Sequence, residues 1–132
     1  MLSRKEGRII NISSIWGNAG ASMEVAYSAS KGGVNALTSS LALAHAKDGI
    51  RVNAVATGGT EAPPRKVARN DSPMSEEENK WVQEVVEQTI EHTYFGRYGS
   101  IQEQVNAILF LASDESSYIT GTILPVGGGD QG

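Results

Sequence analysis

Apolar positions fall into short β-branched runs separated by longer stretches of helical spacing. Arg8-Ile9-Ile10-Asn11-Ile12, bounded by Gly7 and by Ser13-Ser14, predicts a buried strand. Ser13 to Glu24 reads as a loop, with Gly17, Asn18 and Gly20 supplying turns. From Val25 to Lys47, frequent alanines predict a long helix, and Val34, Leu37, Leu41 and Ala44 recur so as to face a sheet. Gly32-Gly33 inside it cost about 1 kcal/mol each in helix propensity, tolerable where another backbone packs closely. Asp48-Gly49 is a stop signal with Gly49 as C-cap. Ile50 to Ala56 predicts a second strand. Strand, long helix and strand at this spacing form a βαβ unit with parallel strands and a right-handed crossover.

Thr57 to Pro73 is a polar loop carrying Arg65, Lys66 and Arg69. Ser75 with Glu78 is a capping box that opens a helix from Glu76 to about Thr93, with Trp81, Val82, Val85, Val86 and Ile90 to one side. Ser100 with Glu103 repeats the pattern, and Val105, Ile108, Leu109 and Ala112 mark the buried stripe of a further helix. Thr122 to Val126 is a short last strand, followed by Gly127-Gly128-Gly129 as a flexible end. The order β-α-β-α-α-β describes an α/β fold: an open parallel sheet of about three strands with flanking helices. Such sheets normally have more strands, and the first strand begins close to Met1. The pattern therefore suggests that residues 1–132 are the second half of a larger α/β domain.

Composition narrows the classes. The chain has 132 residues, a formal net charge of -4 and no Cys. Disulfides and thiolate zinc sites are excluded. The acidic balance and the lack of a Lys/Arg run speak against nucleic acid as partner. No apolar stretch is long enough to span a bilayer, and no signal-peptide core follows Met1, so a cytoplasmic protein is expected. His45 and His92 lie apart without clustered partners, which argues against a metal site.

Tyr27 and Lys31, four residues apart, share one helix face, and Ser14 ends the preceding strand. A strand's C-terminal end and the next helix's start meet at the ligand-binding rim of an α/β sheet. A Lys ammonium beside a phenol favours the phenolate, so Tyr27 could take the proton of an alcohol as hydride leaves its carbon. Ser14 could hold the same oxygen. An ordinary surface helix pair with a Ser turn cap has the same spacing. Trp16 fits either a pocket wall or a lid over the core, and Asn53, inside a strand, fits a structural role.

The strand Ile9 to Ser14, the run Tyr27-Ser28-Ala29-Ser30-Lys31-Gly32-Gly33, and the later segments Gly96-Arg97-Tyr98-Gly99, Phe110 to Asp114 and Ser117 to Gly121 together resemble the short-chain dehydrogenase/reductase family. The resemblance implies an oxidoreductase with Ser14, Tyr27 and Lys31 catalytic. It also implies contacts of Tyr27, Lys31, Thr57, Gly58 and Thr60 with NAD, NADP remaining open. Asn53 to Arg65 and the tail Leu124 to Asp130 resemble family members that oxidise a cyclic cis-dihydrodiol carboxylate to a catechol with decarboxylation. Trp16, Arg65 and Lys66 are then the candidates for substrate. A homo-oligomer is implied as well. The family's Gly-rich turn has no counterpart in this chain, so the resemblance implies a partial Rossmann-like domain over residues 1–132, the C-terminal half of a doubly wound parallel sheet whose N-terminal dinucleotide-binding half is absent. Weak cofactor binding, and a truncated fragment that is either a vestige or an inactive interaction module, are the expectations that follow.

Overall fold

The computed structural model describes residues 1–21, 24–62 and 73–130. Strand β1 (Gly7–Ser14) pairs in parallel with β2 (Ile50–Thr57), Gly7 opposite Ile50 through Ser14 opposite Thr57. Strand β3 (Ile123–Val126) adds to the other edge of β2, Ala54 opposite Ile123 and Thr57 opposite Val126. The sheet order is β1-β2-β3. Helix α1 (Trp16–Ala19) forms one turn inside the expected loop, and α2 (Val25–His45) follows it. Helices α3 (Glu76–His92) and α4 (Ile101–Ala112) lie between β2 and β3 in sequence.

Central position makes β2 the driest strand: Val52, Ala54, Val55 and Ala56 are fully buried. Its alternate side chains serve opposite faces. Ile50 and Val52 pack with Ile9 and with Leu41 and Ala42 of α2. Arg51 turns the other way, where its guanidinium donates to the carbonyls of Leu111 at 3.0 Å, Ser113 at 2.8 Å and Ile119 at 3.3 Å and to the Ser116 hydroxyl at 2.9 Å. Asn53 joins it, donating to the Ile119 carbonyl and accepting from the Thr122 N–H, which is the structural role expected of it.

This arrangement corrects the expected fold class. The sequence suggested half of a doubly wound sheet lacking its N-terminal half; the structure shows a Rossmann-like parallel sheet flanked by helices on both sides. Arg51 is the physical reason: it ties the end of α4 and the following segment onto the face that α2 leaves open.

Two helix faces are also corrected. On α2 the buried positions are Thr38 and Ala42, while Leu37 is 51% exposed and Ala44 points to solvent. Polar contacts turn the helix: Asn11 donates to the Thr38 hydroxyl at 2.9 Å, and the Ser13 hydroxyl donates to the Asn35 side chain. On α4 the buried positions are Gln104 and Leu111, and Leu109 is largely exposed. Gln104 donates to the Val126 carbonyl at 3.0 Å, fixing the helix against β3. Both capping boxes form as read, at Ser75/Glu78 and Ser100/Glu103. Gly49 caps the 3-10 turn after α2 with φ of 74°. Gly127 to Gly129 are not a loose end, since the Gly128 carbonyl accepts from the N–H groups of Tyr94 and Phe95.

Candidate active site

The carboxyl end of β1 carries Ser14, and the chain turns at once into α1. Ser14 is 5% exposed, and its hydroxyl accepts from the Trp16 N–H at 3.3 Å. Helix α1 lies against α2 at Gly17, where a Cβ would stand 2.9 Å from the Lys31 backbone. Glycine is needed for this approach, and Gly32 faces Gly17 across it; nothing lies near Gly33. Close packing brings the Trp16 indole edge-on to the Tyr27 ring, with centroids 6.2 Å apart. One turn along α2, the Lys31 ammonium donates to the Ile12 carbonyl at 2.9 Å and stands 5.6 Å from the centre of the Tyr27 ring.

Ser14, Trp16 and Tyr27 line one cavity of about 290 Å³ at the carboxyl ends of the strands. Its floor is the bare backbone of Thr57, Gly58 and Gly59. A Cβ on Gly58 would meet the Gly127 Cα at 2.5 Å, so the floor admits no side chain there. Thr57 contributes to the lining, but its hydroxyl donates to the Ser13 carbonyl at 3.2 Å. The Thr60 hydroxyl donates to the Gly58 carbonyl at 3.0 Å and supports the floor from outside the lining. A second cavity of about 280 Å³ shares Trp16, Glu24, Val85, Thr89 and Asp130 with the first and extends along α3 past Trp81, Gln88 and His92.

The structure thus gathers Ser14, Trp16, Tyr27, Thr57 and Gly58 at one cavity, and Lys31, outside its lining, reaches it through Tyr27. Arg65, Lys66 and Arg69 fall outside the described residues. The polar side chains of Glu24, Thr89, Tyr98 and Asp130 also line the cavity and are not candidates on sequence grounds. Tyr98 sat in a quoted motif, yet nothing in spacing tells that it turns inward. Val85, read as part of an apolar stripe, also faces the cavity. Among the described residues the lining holds two carboxylates, Glu24 and Asp130, and no Lys or Arg. Beside it, Arg97 grips Glu103 with two N–H groups at 2.9 and 2.7 Å, holding the Glu103 carboxyl down to about 2. No cluster of His, Asp and Glu suited to a metal ion occurs among the described residues. No helix among them is long and apolar enough to cross a membrane.

A cavity outside the carboxyl ends of a parallel sheet, lined by strand ends and helix starts, is the ligand site of the open α/β class. Comparison with known proteins carries this further. The family model described as enoyl-(acyl carrier protein) reductase matches residues 1–130, and the chain belongs to this short-chain dehydrogenase/reductase family. It is 67% identical over 132 residues to the 1,6-dihydroxycyclohexa-2,4-diene-1-carboxylate dehydrogenase of Acinetobacter baylyi, covering 100% of this chain and 50% of that protein. The Pseudomonas putida enzyme of the same name is 53% identical over 132 residues, 100% of this chain and 48% of that protein. A crystal structure of gluconate 5-dehydrogenase from Burkholderia cenocepacia, in complex with NADP and tartrate, superposes with a TM-score of 0.79 at 30% identity, over 97% of this chain and 46% of that one.

The chain spans about half the length of the curated relatives it matches. The expected confinement of the resemblance to a C-terminal half, on which the expectation of a truncated fragment rested, is corrected in that the family match runs through the chain from residue 1 to residue 130. Both dihydrodiol-carboxylate relatives likewise align over all 132 residues of the chain.

Proposed function

We propose that this protein is an NAD(P)-dependent oxidoreductase that oxidises a cyclic dihydrodiol carboxylate. The observation that carries this is the 67% identity to the Acinetobacter dehydrogenase across all 132 residues. The cavity supports it, because Ser14 and Tyr27 share its lining and both can hydrogen-bond to one alcohol oxygen.

The residues present suit the nicotinamide end of the cofactor. Thr57, Gly58 and Gly59 offer backbone at the cavity wall beside Tyr27, and Lys31, 5.6 Å from the Tyr27 ring centre, is the partner proposed with Tyr27 for ribose hydroxyls. The described glycine pairs do not form a pyrophosphate cradle: Gly32 and Gly33 lie within α2, and Gly128 is covered by Tyr94 and Phe95. NAD is the cofactor assigned in this reading, although the gluconate 5-dehydrogenase above holds NADP.

Held by Tyr27 and Lys31, a nicotinamide would supply the acceptor for the hydride of the carbinol carbon. Tyr27 receives the hydroxyl proton from the ring's secondary alcohol. Ser14 donates to the same oxygen and orients it. Lys31, fixed on the Ile12 carbonyl, keeps a positive charge beside the Tyr27 ring while that proton moves. The ketone so formed lies β to the carboxylate; the C–C bond to the carboxylate breaks, CO2 leaves, and the bond's electron pair passes to the ketone oxygen, which takes back the proton held by Tyr27 to give the aromatic catechol. The substrate's carboxylate calls for a cation, and Arg65 and Lys66 are proposed for it. Trp16 packs against the ring. The protein is proposed to act as a homo-oligomer.

The test is to supply the full protein with NAD or NADP and 1,6-dihydroxycyclohexa-2,4-diene-1-carboxylate, and to follow absorbance at the reduced nicotinamide band together with CO2. Reduced cofactor and CO2 in equal amounts are expected. No reduction of either cofactor would overturn the reading.

A further inference from the structure

A second phenol, Tyr98, lines the inner cavity together with Ser14 and Tyr27, and the surrounding chain holds it there. The Gly99 N–H donates to the Gly59 carbonyl at 2.9 Å and the Glu61 N–H to the Gly99 carbonyl at 2.8 Å, a parallel bridge that pins the backbone next to Tyr98. From the other side the Arg97 guanidinium donates to the Tyr98 carbonyl at 2.9 Å while it grips Glu103. The ring itself rests on Gly59. A Cβ there would stand 2.7 Å from the Tyr98 Cε1 and 2.8 Å from the Thr89 Cγ2, so only glycine leaves room for the ring in this position.

An aromatic ring fixed by a bridge, a charge clamp and a glycine has given up its freedom before any ligand arrives. Its hydroxyl has no partner among the described residues. A half-buried phenol without a partner is suited to meet a ligand's polar group. The substrate proposed above supplies such a group: a vicinal diol that gives one hydroxyl to Ser14 and Tyr27 carries a second on the neighbouring carbon, and Tyr98 lines the same cavity.

We infer that Tyr98 is a specificity-determining residue that hydrogen-bonds the second hydroxyl of a vicinal diol while Ser14 and Tyr27 take the first. The inference rests on the oxidoreductase reading above and adds to it the group that tells a diol from a mono-alcohol. Sites built to hydrogen-bond a substrate hydroxyl discriminate against the analogue that lacks it.

The test uses binding, so that it does not depend on turnover. Both tryptophans of the chain, Trp16 and Trp81, border the cavities, and their fluorescence reports occupancy. Catechol and phenol are titrated into the full protein and into Tyr98→Phe, which keeps the ring on Gly59. The wild type is expected to bind catechol about tenfold tighter than phenol, and Tyr98→Phe to bring the two ligands level with phenol binding unchanged. In the wild type alone, guaiacol, with one hydroxyl methylated, is expected to bind at the level of phenol; this holds the test open if the variant fails to fold. A catechol preference absent from the wild type, or retained by Tyr98→Phe, overturns the inference, as does an equal weakening of both ligands. If the catechol preference depends on Tyr98 but no dihydrodiol carboxylate is oxidised, the catalytic reading fails and this one stands.

Discussion

Lys31 and Tyr27 are joined through the end of a strand: the ammonium that stands 5.6 Å from the Tyr27 ring centre is held by the Ile12 carbonyl at 2.9 Å. The charge is therefore placed by β1, and the phenol by α2. Tyr27 is 39% exposed and its hydroxyl has no partner among the described residues. Tyr27→Phe is expected to lower kcat/KM by about 10²–10⁴ as a proton acceptor is lost. Its melting temperature should match the wild type. A steady-state assay beside a thermal melt checks both halves.

Arg51 donates to four acceptors at the junction of α4 and β3. Arg51→Met keeps the stem but leaves three carbonyls and a hydroxyl on a half-buried face. Urea denaturation is expected to show a loss of about 2–4 kcal/mol. A loss below about 0.5 kcal/mol would mean that water satisfies these groups as well as the guanidinium does.

Two glycine-to-alanine changes should have opposite signs. Gly58→Ala drives a Cβ into the Gly127 Cα at 2.5 Å, where only backbone could move, and should cost about 1–3 kcal/mol. Gly33 lies within α2 with nothing within 4 Å of the added atom. Gly33→Ala should stabilise by about 0.4–1 kcal/mol, since it narrows the unfolded ensemble. Paired denaturant melts decide the sign of each.

Glu103 is paired with Arg97 and also accepts from the Ser100 N–H, which together lower its carboxyl from the usual range to about 2. A depressed folded value means a contribution present above the ordinary carboxylate range and lost as pH falls from about 4.5 towards 2. Glu103→Gln keeps a capping group but drops the charge. Thermal melts from pH 7 to pH 2.5 should show a wild-type lead that shrinks across that window. The pair is exposed, so added salt should shrink it too.

Helix α2 presents Val25, Leu37 and Leu43 to solvent, Leu43 at 87% exposure. Sedimentation is expected to show self-association, and Leu37→Lys with Leu43→Lys to shift the distribution toward the monomer. Wild-type protein that sediments as a monomer would remove the proposed oligomer.

The element order and both capping boxes were legible in the chain, because they depend on residues three or four apart. So was Gly49, whose positive φ is a local demand. The faces of α2 and α4 were not. Counting apolar residues put Leu37 and Leu109 inward, but Thr38 and Gln104 bury themselves by bonding to Asn11 and Val126, which are distant in sequence. Small and polar residues carry the helix contacts here, and hydrophobic periodicity does not register them.

For the site, spacing alone could say that Tyr27 and Lys31 share a helix face and that Ser14 ends a strand. The cavity that Ser14 and Tyr27 share depends on Gly17, which lets α1 settle on α2. Tyr98 reaches the same cavity only because the Gly59 and Gly99 backbones pair across a long stretch of chain. Local sequence determined which groups are available and on which element each stands, since backbone preference and capping act over a few residues. Tertiary structure alone decided which of them meet and what encloses them, because close approach between distant segments is set by packing and hydrogen bonding that no short window contains.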